Sequence, residues 1–187
     1  MIRVALSGAL LLLMSSLSLG QSEPGTAGQE GNLRGVTGVR LRVMLGHPPR
    51  QREAQKPEIL KLVGADAAAK LERAGIPFYT SPSDPRRNFS YAVLVITVTI
   101  TETEAAGRKR LENEVKLLQS VRLSRDPSIE FEAVTWVTEG GVTGPAQFVM
   151  SGTRDQVGDL IDGFIKDYFS VNPKPSAGSS SSKVIRP

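Results

Sequence analysis

Residues 89–103, reading Phe-Ser-Tyr-Ala-Val-Leu-Val-Ile-Thr-Val-Thr-Ile-Thr-Glu-Thr, form the longest run of β-branched and aromatic residues in the chain. The run alternates. Ala92, Leu94, Ile96, Val98 and Ile100 point one way, and Tyr91, Val93, Val95, Thr97, Thr99 and Thr101 the other. A strand with one fully apolar side and one mixed side belongs to a sheet that is covered on one face and wetter on the other.

The segments around it supply the rest of such a sheet. In residues 36–45, Val39, Leu41, Val43 and Leu45 alternate with Arg40, Arg42 and Met44, which predicts a first strand ended by Pro48 and Pro49. Ile59, Val63, Ala67, Leu71 and Ala74 then recur at helical spacing, with Pro57 suited to the first turn and Gly75 to the C-terminal cap. A helix of that length followed by a short strand at residues 76–79 is a parallel crossover. After residues 89–103 come a turn (104–112), an antiparallel partner (113–125), a turn at Asp126-Pro127 and a strand at 131–138. Residues 139–152, with their glycines, read as a long loop. Thr153-Arg-Asp-Gln156 reads as a capping box, and Val157, Leu160, Ile161, Phe164, Tyr168 and Phe169 make the helix behind it, which Asn172-Pro173 stops. The fold class is therefore α/β: a two-layer sandwich with a mixed sheet of about five strands, two helices on one face, and order β-α-β-β-β-β-α.

The two ends read as separable from this domain, which spans residues 36–173. Residues 1–20 have the layout of a secretory signal peptide: Arg3, an apolar stretch over residues 4–14, then small residues ending at Gly20. Cleavage is placed after Gly20, with Ser22 as the second choice. The apolar stretch is shorter than the ~20 residues a spanning helix needs, so no membrane anchor is expected after cleavage. Residues 21–35 read as a flexible leader and residues 174–187 as a disordered Ser-, Pro- and Gly-containing tail. The chain has no cysteine, so no lipid-bearing cysteine and no disulfide; that suits a secreted or periplasmic bacterial protein held by its core alone. Removing Arg3 takes the formal charge from +4 to +3. With no basic block interleaved with aromatics, nucleic acid is not an expected partner.

The chemistry on offer is thin. One histidine and no cysteine leave no cluster at metal-ligand spacing, and no cofactor is expected. Ser81 or Ser151 lacks a nucleophile-elbow setting. The carboxylates Glu102, Glu104, Glu112 and Glu114 flank the hairpin turn and read as a solvated, edge-protecting set. His47, between Gly46 and Pro48 at the end of the first strand, reads first as a plain loop histidine and second as a candidate ligand contact, because ligands of α/β sheets bind beyond strand C-termini. No enzymatic activity is expected.

Trp136 is the only tryptophan. By alternation Val134 and Trp136 share one face of the last strand, while Phe131, Ala133, Thr135 and Val137 share the other. Both faces carry apolar residues, so core packing is one reading. The other groups Trp136 with Tyr91, Val93, Val95 and Leu118 as an interaction patch on the sheet face that the helices leave open.

The segments Gln119-Ser-Val-Arg-Leu-Ser-Arg-Asp-Pro127, Val134-Thr-Trp136, Lys70-Leu-Glu-Arg-Ala-Gly-Ile76 and residues 159–173 resemble a family of small secreted bacterial proteins of unknown function. The resemblance covers about residues 36–174 and implies no catalytic residues. The element order is also similar to periplasmic accessory domains of the TolB amino-terminal, CsgG and LpoB kind. Two functional expectations follow. The first is a non-enzymatic secreted or periplasmic interaction module that binds an envelope protein through an open sheet face or an edge strand. The second is a domain binding a small molecule or glycan between Gly46-His47 and the 139–152 segment.

Overall fold

The computed structural model describes residues 29–46, 56–81, 92–102 and 108–174. The signal-peptide reading, His47, Tyr91 and the tail beyond Lys174 lie outside the described residues. A short 3₁₀ helix (Glu30–Leu33) leads into β1 (Val39–Leu45), α1 (Lys56–Ala74), β2 (Phe78–Tyr79), β3 (Val93–Glu102), β4 (Arg108–Leu123), β5 (Asp126–Pro145) and α2 (Ala146–Val171). The sheet runs β2-β1-β3-β4-β5, with β1 parallel to both neighbours and β3, β4 and β5 antiparallel. This is the α/β architecture expected from the alternation.

The β1-α1-β2 crossover ends where glycine is needed. Gly75 takes φ +79° and its N–H donates to the Glu72 carbonyl, while Ile76 N–H donates to Leu71. These are the paired bonds of a Schellman cap. The helix lays Ile59, Val63, Ala67 and Leu71 on the sheet, all buried. From the other layer Leu94, Ile96 and Val98 of β3, and Leu111, Val115 and Leu117 of β4, meet them in one core.

Four expectations are corrected. Residues 108–112 are not a turn but the start of β4, paired with β3 from Lys109 opposite Glu102 onward. Residues 139–145 are not a loop: Glu139, Gly140, Gly141, Val142, Thr143 and Gly144 pair in sequence with β4 from Glu114 to Lys109. Gly140 serves close packing, since a Cβ there would lie 2.5 Å from Gln156 Nε2. Nor does α2 begin at Thr153. It begins at Ala146, after Pro145, and the buried stripe runs back through Val149. The Thr153 hydroxyl donates to the Val149 carbonyl 2.7 Å away, a bond to the preceding turn rather than a cap.

The fourth correction concerns the leader. Leu33 is fully buried, so the packed unit starts before residue 36. The end of α2 ties this segment down. Asn172 donates to the Leu33 carbonyl (2.8 Å) and accepts from Gly35 N–H (2.9 Å), and Tyr168 OH donates to the Val36 carbonyl (2.8 Å). Burial holds the Tyr168 phenol above its ordinary pKa.

Candidate interaction surface

The expected patch does not assemble. Trp136 is 1% exposed and lies on the helix-covered face, opposite Leu117. Its ring meets Phe164 edge-on at 5.2 Å and its Nε1–H donates to Asp167 at 3.0 Å. The cause is a β-bulge. Leu117 pairs with Trp136 but Leu118 pairs with Val134, leaving Thr135 as an extra residue. Two residues apart, Val134 and Trp136 therefore point to opposite faces. Val93 and Val95 do face away from the helices, yet they are 4% and 2% exposed. The register sets Val93 between Arg40 and Leu118, and Val95 between Arg42 and Lys116. Long side chains thus flank both valines, and such stems shelter apolar neighbours. Leu118 is half-buried.

Toward the other end of this open face, Thr97, Thr99, Glu112, Glu114, Glu139 and Gly141 line a shallow cleft of about 460 Å³. Gly46 at the end of β1 reaches its rim, donating to the Val98 carbonyl. The cleft's carboxylates have cations beside them on the same strand: Arg110 lies 3.0 Å from Glu112, and Lys116 2.5 Å from Glu114. Its walls offer threonine methyls and little else, whereas small-molecule sites are mostly apolar with a few convergent polar groups. It has the character of a solvated face. Among the described residues no group of three His, Cys, Asp or Glu is placed to hold a metal. Ser151 is an exposed helix residue whose hydroxyl donates to the Phe148 carbonyl.

The polar groove between α1 and α2 is a structural clamp. Arg154 grips Asp66 with two bonds of 2.6 and 3.0 Å, and Lys70 reaches Asp162. The hydrogen bond from Arg154 holds the Asp66 carboxyl below its usual range.

The exposed apolar side chains lie elsewhere. Among the described residues β3 pairs with β4 as far as Leu118, whereas β4 and β5 continue together to their tip. Five further β4 residues, Gln119 to Leu123, make a two-stranded arm that reaches about 17 Å past the described residues of β3. Alternation in β4 is unbroken, so the face that carries Leu117 under the helices continues as Gln119, Val121 and Leu123. Phe131 pairs with Val121, and Ala133 with Gln119. Phe131 is 46% exposed, Ile129 47% and, on the opposite face, Val134 52%. That opposite face carries Glu130, which Ser120 and Arg122 both bind, while Asp126 pairs with Leu123 on the face of Val121. These bonds, Ser120's first, hold the Glu130 carboxyl below its usual range. The sequence pattern puts Val121, Leu123, Phe131 and Val134 in ordinary strands and Ile129 between a turn and a strand, and the greater length of β4 and β5 shows only in the structure.

The 3₁₀ segment meets the outer edge of β5 at the bulge, where Asn32 donates to the Thr135 carbonyl (2.8 Å) and Val137 N–H donates to Gln29 Oε1 (2.8 Å).

Fold and surface together define a two-layer α/β domain with an overhanging amphipathic hairpin. No family model matches the chain, and no curated protein does, so the family likeness read from the sequence stays a resemblance. Solved structures do match. The PelC dodecamer from Paraburkholderia phytofirmans is 18% identical over 68% of this chain and 86% of that one, with a TM-score of 0.42. The lipoprotein GNA1162 from Neisseria meningitidis is 14% identical over 70% and 99%, at 0.37. A minor lipoprotein from Acinetobacter baumannii is 9% identical over 73% and 95%, at 0.36. At these values the likeness transfers no residue role, and the function has to be argued from this chain's own side chains.

Proposed function

We propose that this chain is a non-enzymatic accessory module of the bacterial envelope that binds another protein through the β4–β5 arm. The observation that carries the reading is the exposure of Phe131, Ile129 and Val134 on the part of the β4–β5 hairpin that reaches past the described residues of β3. Large apolar side chains clustered at a projecting element are costly to leave in water and are typical of interface cores. The site moves from the open sheet face, where the valines are sheltered, to the overhang. The signal-peptide layout of residues 1–20 favours export, and no described helix is long and apolar enough to cross a membrane.

A photo-crosslinking residue placed at Phe131, in cells that express the chain, tests the reading. It should capture one defined protein that the same residue at Lys61, exposed on α1, does not. Equal capture at the two positions, or none at Phe131, would remove the arm as the docking element.

A further inference from the structure

We draw no further inference here: the strongest candidate, the exposed apolar face of the β4–β5 arm around Val121 and Phe131, carries none, because nothing among the described residues shows what covers it.

Discussion

One hairpin, β4–β5, contains two regions that share a backbone and differ in what lies over them. In its body Leu117 and Trp136 sit under α2, with the tryptophan edge against Phe164 and its N–H on Asp167. Past the bulge the same face continues as Val121 and Phe131, and Phe131 is 46% exposed. A strand pair does not by itself bury an apolar face; a second layer does. The difference teaches that the arm's apolar residues contribute little to the isolated fold. Their use has to be sought outside it.

The comparison breaks most visibly through stability. Trp136→Ala should cost about 3–5 kcal/mol in urea unfolding, since it empties a fully buried site and strands Asp167. Phe131→Ala should stay within about 0.5 kcal/mol at a concentration where the chain is monomeric. Comparable losses at both positions would mean that the arm is packed in the monomer. Next, Gly140→Ala should cost about 1–3 kcal/mol, because the added methyl displaces the Gln156 amide that accepts from Asn113 at 2.6 Å. Asn113→Ala removes the same bond, so the double variant should lose less than the sum in a double-mutant cycle. Additive losses would show that the Asn113–Gln156 pair does not set the contact between α2 and β5.

Asn172→Ala should cost about 1 kcal/mol and raise hydrogen exchange over residues 30–36, since it cuts both ties from α2 to that segment. Exchange unchanged there would leave the burial of Leu33 as the segment's only fastening. The smallest effect is electrostatic. Arg154 lowers the Asp66 pKa on folding, so the pair's contribution is complete above the ordinary aspartate value of 3.8. It is lost as pH falls through the lowered folded value. For a pair this exposed the contribution is small. Melting temperatures of the wild type and Arg154→Ala should therefore differ slightly at neutral pH and converge in acid; a gap that widened in acid would contradict the assignment.

Much of this fold was legible because its core strands keep strict periods. The alternation in residues 92–100, the helical stripe of α1 and its glycine cap all state a single local structure. What failed did so where a tertiary contact overrides a local signal. Gly140, Gly141 and Gly144 look like loop residues and are strand residues paired with β4, Gly140 lying against Gln156 of α2. Thr153 and Gln156 spell a cap, and are interior helix residues because the stripe begins at Val149. The face of Trp136 was not legible at all, since one extra residue at Thr135 inverts the parity of everything beyond it. That inversion moved the candidate surface from the open face to the arm. Of the open-face candidates, Val93, Val95 and Leu118 share a face but are sheltered, and Trp136 is across the sheet.

The central claim is that the body of the hairpin is packed under α2, while the arm's apolar residues add little to the isolated fold. Hydrogen–deuterium exchange of the full chain compares the two directly. Protection over residues 136–144 should be strong, and protection over residues 119–133 weak. An arm as strongly protected as the body would contradict the account.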